Sequence, residues 1–416
     1  CYLTLAYSLS YFLLPAIWRY SQGRRLISQA DFFISKYESP ALGMLVSVVG
    51  VAALIPYLVL QLKGLGIIVS EASYGAISPT AAIWSGTAAL IGYVVVSGVR
   101  GSAWTAALKD VMILVIVVAM GIYLPLHYYG GYGAMFEAID HAKPGLLTLP
   151  AAGMSQSWFI STVLLTSVGV YTWPQFFAGV YTARGENVFR KNAVVLPLYQ
   201  LVVLFVFFVG FAASLVVPGL TGPDADLSLF RVAKLAFAPW AVGMIGGAGL
   251  LTALVPGSML LITAATILGK NVFGALAPSS SEHTIGIVAR AMVPVLALFA
   301  LYLTLQGGQA IVMLLLMGYN VVTQLFPALV LSFGHKPRIS AKAALSGILA
   351  GELTVAAITL SGTTIARLAP ALPQVVKDLN IGIVALAVNV AVIALVTLVT
   401  RRPVPAQQRP ATVPAA

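Results

Sequence analysis

The sequence predicts an all-α polytopic membrane protein, and its composition and hydropathy pattern both point to this class. Of its 416 residues, 60% are hydrophobic and 8% are charged, whereas an average soluble chain carries roughly 25% charged residues. So few polar side chains cannot cover a soluble fold of this length. A disordered chain and a nucleic-acid-binding domain are excluded for the same reason. The apolar residues form long runs, whereas a membrane β-barrel needs alternating segments of about ten residues.

Eleven apolar runs are long enough to cross a bilayer, which takes about 20 helical residues. Their limits are 1–19, 42–68, 80–98, 103–126, 157–181, 193–217, 238–269, 285–305, 309–333, 342–364 and 380–400. Residues 1–400 are therefore expected to form one transmembrane domain that is surrounded by lipid. Residues 401–416 are rich in Pro and Ala and predict a disordered tail.

The basic residues predict the topology. Fifteen of the 23 Lys and Arg lie in the odd-numbered loops or the tail, and five lie in the even-numbered loops. Because cytoplasmic loops carry an excess of Lys and Arg, the odd-numbered loops and the C-terminus are predicted to face the cytoplasm from an inner (plasma) membrane. The net charge of +11 then reflects topology and calls for no nucleic-acid partner. Cys1 lies inside an apolar run with no Met before it, so we expect an N-terminally truncated chain.

The fifth run contains a predicted helix break between Gly169 and Pro174. Pro174 has no N–H, so the carbonyl of Val170 loses its helical donor. Aromatic and polar side chains lie beside the break, at Tyr171, Trp173 and Gln175. An ordinary proline kink is one interpretation. The side chains at mid-span favour a discontinuous helix at a solute-binding site.

The seventh run has a second predicted break, at Pro256 and Gly257. Pro256 would free the carbonyl of Thr252, and the hydroxyls of Thr252 and Ser258 lie nearby. Such oxygens suit a small hard cation, which makes Thr252 and Ser258 candidate sodium ligands. The alternative is a kink in which both hydroxyls bond to their own helix.

Two further pairs of polar residues recur at the helical i,i+4 spacing. They are Tyr57 with Gln61 and Asn320 with Gln324. Such pairs can join helices to one another, or they can converge on a small polar solute. Glu352, near the middle of the tenth run, is either a proton-titrating group or a carboxyl bonded inside the bundle.

The sequence offers no enzyme signature. It contains no H-E-x-x-H motif, no Walker loop and one cysteine, so we expect no enzyme and no cofactor other than a coupling ion. A channel stays open as an alternative, because channels also use polar residues and broken helices.

Several segments together resemble the sodium/solute symporter family, and within it the bacterial monocarboxylate permeases. They are Ser28-Gln-Ala-Asp-Phe-Phe33, Ile55-Pro-Tyr-Leu-Val-Leu-Gln-Leu62, Gly98-Val-Arg-Gly-Ser-Ala-Trp-Thr105 with Lys109-Asp110, Arg190-Lys-Asn-Ala-Val-Val-Leu-Pro197, Ala253-Leu-Val-Pro-Gly-Ser258 and Gln324-Leu-Phe-Pro327.

The resemblance implies the five-plus-five inverted repeat of the leucine-transporter fold, with about eleven of an expected thirteen helices present here. It also implies ion-coupled uptake of a small monocarboxylate, such as lactate, pyruvate or a short-chain acid, by alternating access. Tyr57, Gln61, Tyr171, Trp173, Gln175, Asn320 and Gln324 are the candidate solute ligands.

The coupling ion is expected to be Na⁺ or H⁺, because the sequence departs from sodium-coupled relatives at two places. Val255-Pro256 stands where these relatives have adjacent hydroxyl residues, and Ala106 stands where they have an acidic residue. A symporter of an amino acid or sugar and a non-transporting solute sensor also remain as alternatives.

Overall fold

The structure is a computed structural model that describes residues 2–400, except for the side chains of residues 96–104. Throughout residues 2–400 the regular secondary structure is helical and no strand occurs. The N-terminal helices are α1 (Tyr2–Ser21), α2 (Gln29–Tyr37), α3 (Pro40–Ala72), α4 (Pro79–Tyr129), α5 (Tyr132–Ala142), α6 (Gln156–Gly169), α7 (Pro174–Tyr181), α8 (Glu186–Tyr199) and α9 (Val202–Val216). The remaining helices are α10 (Ser228–Ala236), α11 (Pro239–Ile267), α12 (Gly274–Leu276), α13 (Glu282–Gln306), α14 (Ile311–Val322), α15 (Phe326–Leu331), α16 (Ala341–Leu360), α17 (Ile365–Leu368), α18 (Gln374–Lys377) and α19 (Ile381–Thr400).

Each predicted apolar run coincides with helical structure. In the described part of the chain, eight helical spans are long and apolar enough to cross a membrane, and residues 79–95 form a shorter apolar helix. The other two runs correspond to α1 and to the interrupted pair α6 and α7. The prediction of an all-α polytopic fold is therefore confirmed. Cys1, the predicted tail and most side chains of the Gly98–Thr105 segment lie outside what the structure describes.

Helix α4 contains two of the predicted runs, which form separate limbs. The hydroxyl oxygens of Tyr93 and Thr105 lie 2.5 Å apart. Residues twelve apart in a straight α-helix are separated by about 18 Å along its axis, so α4 must bend between these two residues. The limbs, 79–95 and 105–129, are the third and fourth runs of the sequence prediction.

Polar contacts show that the odd-numbered and even-numbered loops lie at opposite ends of the bundle. At one end the contacts join Arg19 to Glu186, Asp31 to Lys270, and Lys36 to Gly334. At the other end they join Lys63 to Asp226, Glu71 to Lys234, and Gly153 to Asp378. This alternation is the one that the distribution of Lys and Arg predicts; which end faces the cytoplasm stays a prediction.

Helix α3 lies at the centre of the packing and contacts α11, α14 and the first limb of α4. It supplies completely buried leucines such as Leu54, Leu58 and Leu65. Glycines allow the closest approaches: a Cβ added at Gly50 would lie 2.9 Å from Cγ of Pro174. Pro174, and with it the break of the fifth run, therefore packs directly against α3.

The predicted break at Pro256 and Gly257 is wrong. Helix α11 is continuous from Pro239 to Ile267 and passes through both residues. Proline removes one backbone hydrogen bond, here the one to the carbonyl of Thr252, and the contacts of α11 with α3 and α4 support the helix. Gly257 instead permits close packing against the first limb of α4, because a Cβ there would lie 3.3 Å from Cδ1 of Leu90. The irregular part comes later, as a π-helical stretch at Leu268–Phe273.

Candidate solute and ion site

The break of the fifth run is present in the structure. Helix α6 ends at Gly169, a 3-10 turn covers Val170–Thr172, and Trp173 is extended with φ −70° and ψ 131°. Helix α7 then begins at Pro174. Two properties of proline produce this geometry. Its ring disfavours a helical conformation in the preceding residue, and its fixed φ suits the first position of a new helix.

Trp173 fills the break and is 1% exposed. Its ring makes edge-to-face contacts with Tyr57 of α3 and Tyr319 of α14, each with a centroid distance of 5.3 Å. Tyr2 of α1 in turn lies 6.2 Å from the ring of Tyr319. Sequence reasoning identified Tyr57 and Trp173 but missed Tyr319, although it immediately precedes the candidate residue Asn320. Four elements of the bundle therefore meet at the aromatic cluster of Trp173, Tyr57, Tyr319 and Tyr2.

Gly318 determines how closely Trp173 can approach α14. A Cβ at this position would lie 2.6 Å from Cη2 of Trp173 and 3.0 Å from the carbonyl oxygen of Ala53. The first distance is too short for a methyl group, and the second would be a tight contact with rigid backbone. The indole position thus depends on a residue without a side chain.

The last carbonyl of the 3-10 turn has a long-range partner. Gln29, in the short helix α2, donates from Nε2 to the carbonyl oxygen of Thr172 at 2.7 Å. The Tyr181 hydroxyl at the end of α7 donates back to the carbonyl of Ser28 at 3.1 Å. Gln29 is 1% exposed, and it was missed as a site residue although it lies in the Ser28–Phe33 segment. Helix α2 therefore holds both sides of the break.

A cavity of about 420 Å³ adjoins the break, between α1, α7 and α8. Its polar lining comprises Tyr7, Ser10, Tyr171, Gln175 and Asn192. The Oε1 atom of Gln175 is buried and has no hydrogen-bond partner within the described residues. A glutamine side chain carries both a carbonyl oxygen and an NH₂ group, so Gln175 can offer a solute either an acceptor or a donor.

A second cavity, of about 390 Å³, lies between α3, α11 and the second limb of α4. Gln61 and Thr252 both line it, so the structure brings together a predicted solute residue and a predicted ion residue. The hydroxyl of Thr252 donates to Ala248 O at 2.7 Å. Ser258 is completely buried, donates to Val255 O at 2.7 Å, and does not line this cavity. Both hydroxyls thus bond within their own helix.

Asn320 and Gln324 lie in a different place from the aromatic cluster. Gln324 is completely buried, and its Nε2 atom donates to the carbonyls of Asn320 at 3.0 Å and Gly382 at 3.1 Å. Asn389 of α19 donates to the carbonyl of Gln324 at 2.7 Å. These contacts join the 3-10 turn Thr323–Leu325, which follows α14, to α19. The seven predicted solute residues therefore lie in four separate places. Tyr57 lies with Trp173, Tyr171 lies with Gln175, Asn320 lies with Gln324, and Gln61 lies apart from the other six.

The family model of the sodium:solute symporter family matches residues 2–351 of this chain. The chain therefore belongs to the sodium:solute symporter family, whose members are multi-pass membrane transporters and not enzymes.

Individual relatives agree with this assignment. An uncharacterized symporter of Bacillus subtilis, YhjB, is 58% identical over 96% of this chain and 81% of its own length. A monocarboxylate transport permease protein of Rhizobium johnstonii is 26% identical over 66% of this chain and 55% of its own length. Among solved structures, a substrate-bound, outward-open Na⁺-coupled sialic acid symporter matches with a TM-score of 0.72 and 17% identity, over 96% of this chain and 84% of that one. The leucine-transporter-like fold expected from the sequence is thereby confirmed.

Proposed function

We propose that this protein takes up a small monocarboxylate, such as lactate, pyruvate or a short-chain acid, together with sodium. The observation that carries the proposal is the interruption of the fifth span at Trp173, held between Tyr57 and Tyr319. Half-helices that meet inside a bundle expose backbone ends and dipoles to a solute. The similarity to a monocarboxylate permease supports the substrate class.

The negative charge of the solute has to be balanced close to the break. No Lys or Arg lines the 420 Å³ cavity beside the break. The N-terminal end of α7 lies there and carries a partial positive charge, and a co-transported sodium ion would add a full one. The amide of Gln175 and the hydroxyl of Tyr171 would hydrogen-bond the carboxylate or an adjacent hydroxyl group.

Thr252 is the residue we favour for the ion, because its side chain is exposed to a cavity that it shares with Gln61. Sodium is the coupling ion that membership of the family makes the first expectation. A proton remains the alternative, and Glu352 is then the relevant group. Its carboxyl lies near the middle of α16, with Oε1 buried and without a hydrogen-bond partner among the described residues.

The decisive experiment is uptake of labelled lactate by the full-length protein in proteoliposomes, with sodium and proton gradients imposed separately. We expect concentrative, saturable uptake under an inward sodium gradient alone. Uptake driven only by the proton gradient would indicate that a proton is the coupling ion and that Glu352 is the group that carries it. Competition by amino acids or sugars, with no uptake of any monocarboxylate, would overturn the substrate class. Flux that never saturates would indicate a channel.

Two pairs of variants assign the site. Trp173→Phe removes part of two aromatic edge contacts, each of which contributes about 0.5–1.5 kcal/mol, so uptake should fall about tenfold. The control is Trp84→Phe, at a tryptophan that is 52% exposed, which should not change uptake.

Thr252→Val should raise the sodium concentration that gives half-maximal uptake. Its control is Thr354→Val, because this threonine also bonds within its helix.

We further propose that the protein resides in the cell membrane with its C-terminus in the cytoplasm. The alternation of the loops between the two ends of the bundle supports this orientation when combined with the excess of Lys and Arg at one end. Labelling of a cysteine introduced at Lys191 or at Lys377, in a background where Cys1 is replaced by Ser, tests it in intact cells. The reverse orientation would make Lys191, rather than Lys377, accessible from outside.

A further inference from the structure

A polar cavity of about 570 Å³ opens at the basic end of the bundle, away from the aromatic cluster. It lies between the end of α1, helix α2 and the loop that connects α15 to α16. Four of its lining residues are basic or histidine, and a single lining residue is acidic. The former are Arg24, Lys36, His335 and Lys336, and the latter is Glu38. The cavity therefore concentrates positive charge.

Two of the cations are held in fixed positions around Tyr20. The guanidinium carbon of Arg24 lies 4.0 Å from the centroid of the Tyr20 ring, and Nζ of Lys36 lies 4.1 Å from the same centroid. Lys36 also donates to the carbonyl of Gly334 at 2.7 Å, and the hydroxyl of Tyr20 pairs with Ser35 Oγ at 2.8 Å. The part of the cavity wall formed by Tyr20, Ser35 and Lys36 is thus held by specific contacts.

These cations lack a neutralising carboxylate. Among the described residues, no acidic side chain forms an ion pair with Arg24, Lys36 or Lys336. Lys36 is 8% exposed, and burial, together with repulsion from Arg24, lowers the pKa of its ammonium group. A buried charge without a counter-charge is costly, and an anion in the cavity would offset both burial and repulsion.

The start of α16 adds donors to the same space. Ser340, the N-cap residue of this 20-residue helix, and Ala341, its first residue, both line the cavity. The N-terminus of a helix carries a partial positive charge. Ser340 Oγ accepts from the N–H of Ala343 at 3.2 Å, and the N–H groups of Ala341 and Lys342 precede the first bond within the helix. Cationic side chains combined with such an N-terminus form the type of site that holds phosphate.

We propose that this cavity binds the phosphate group of an anionic ligand, with Arg24, Lys36 and Lys336 as its cationic ligands. The phosphate can come from an anionic phospholipid headgroup or from a soluble phosphate. The cavity lies where α1 ends and α16 begins, which is a level at which basic pockets between membrane helices meet lipid headgroups.

The test uses the purified full-length protein in detergent and three probes: dihexanoyl phosphatidylglycerol, dihexanoyl phosphatidylcholine and inorganic phosphate. We expect a saturable rise of the thermal unfolding midpoint with phosphatidylglycerol or inorganic phosphate, and none with phosphatidylcholine. Binding of the lipid alone assigns the site to a headgroup, and binding of inorganic phosphate assigns it to soluble anions. No saturable binding of either anion would overturn the proposal.

Variants link any binding to this cavity. Arg24→Ala combined with Lys336→Ala removes two exposed cations and should weaken anion binding at least tenfold. Arg184→Ala combined with Lys191→Ala removes the same charge from exposed positions at the same end of the bundle and should leave binding unchanged. Equal weakening by the two double variants would show a diffuse charge effect and would overturn the proposal. If the first double variant unfolds, Lys336→Gln alone provides the same comparison.

Discussion

The side-chain amide of Gln29 donates a 2.7 Å hydrogen bond to the carbonyl of Thr172, a residue 143 positions further along the chain. Thr172 ends the 3-10 turn of the broken span, where the helix no longer supplies a backbone donor. Gln29 begins a short helix at the basic end of the bundle, and that helix is tied to α15 as well, through the Tyr37 hydroxyl and the carbonyl of Ala328 at 2.6 Å. A movement of α2 would therefore be transmitted directly to the break.

Replacing Gln29 by Ala should impair transport more than it impairs folding. The Thr172 carbonyl would then be buried without a donor, which costs about 1–3 kcal/mol. The break would also lose the hydrogen bond that fixes its position relative to α2. We expect the initial rate of uptake to fall about tenfold, with a small decrease in the thermal unfolding midpoint. Gln22→Ala is the control, since its amide makes an exposed contact at 3.4 Å. Equal rates for the two variants would contradict the role given to Gln29.

Replacing Gly318 by Ala should displace Trp173. The added methyl group would lie 2.6 Å from the indole and 3.0 Å from a backbone oxygen, so the indole must move or α14 must shift. Overpacking of this kind costs about 1–3 kcal/mol. We expect a lower unfolding midpoint, weaker solute binding and a changed tryptophan fluorescence spectrum.

Gly210→Ala is the matched control for Gly318→Ala. Gly210 lies inside α9, and nothing lies within 4 Å of a Cβ at that position. Because Ala is a better helix former than Gly by about 1 kcal/mol, this variant should be as stable as the natural protein or slightly more stable. A destabilised Gly210→Ala combined with an unaffected Gly318→Ala would refute the steric argument.

Much of the fold could be predicted from the sequence because a bilayer restricts what a chain can do. Long apolar runs must become helices, and the distribution of Lys and Arg orders their ends. The break at Trp173 could also be predicted, since Gly169 and Pro174 act on the backbone locally. Pro256 shows the limit of that reasoning. The same residue type leaves α11 intact, where the helix packs against α3 and α4.

The site was harder to predict because side-chain convergence depends on how the helices are rotated against one another. Tyr57 and Gln61 share a helical face in the sequence, yet Tyr57 contacts Trp173 while Gln61 lines a cavity with Thr252. The partner of Gln324 is Asn389, on a helix whose sequence is otherwise almost entirely apolar. Neither relationship is visible in the local sequence, whereas Gln29 lies in the Ser28–Phe33 segment that resembles the symporter family.

Gln324 and Asn389 should behave as a structural pair. Gln324→Ala would leave the buried amide of Asn389 with one fewer acceptor and would itself lose two hydrogen bonds to carbonyls, so we expect a loss of stability of about 1–3 kcal/mol. Combined with Asn389→Ala, the two losses should be less than additive, because each single variant already removes the hydrogen bond between the two side chains. Thermal unfolding of both single variants and the double variant measures this. If Gln324→Ala instead weakens solute binding at unchanged stability, Gln324 is a solute ligand.

Asp31 should make the protein sensitive to acid. Burial by itself raises the pKa of the Asp31 carboxyl, but hydrogen bonds from Lys270 and from the backbone N–H groups of Ile27 and Ser28 outweigh this effect and hold the pKa below its usual value. The Lys270 ammonium lies 2.6 Å from Oδ2, and the Asn271 amide lies 2.8 Å from Oδ1. A carboxyl with a lower pKa in the folded state stabilises the fold above the unfolded-state value of about 4. That contribution disappears as the pH falls through the folded-state value.

Asp31→Asn preserves the shape of the side chain but removes its charge. We expect its unfolding midpoint to lie below that of the natural protein at pH 7, and the difference between the two to shrink as the pH falls below about 4. Lys270→Met should show a similar loss at pH 7. Lys191→Met, at an exposed lysine of the same end, should not. Thermal unfolding in detergent between pH 7 and pH 3 measures all four proteins. A difference between Asp31→Asn and the natural protein that stays constant down to pH 3 would mean that packing, rather than charge, accounts for the stability that Asp31 provides.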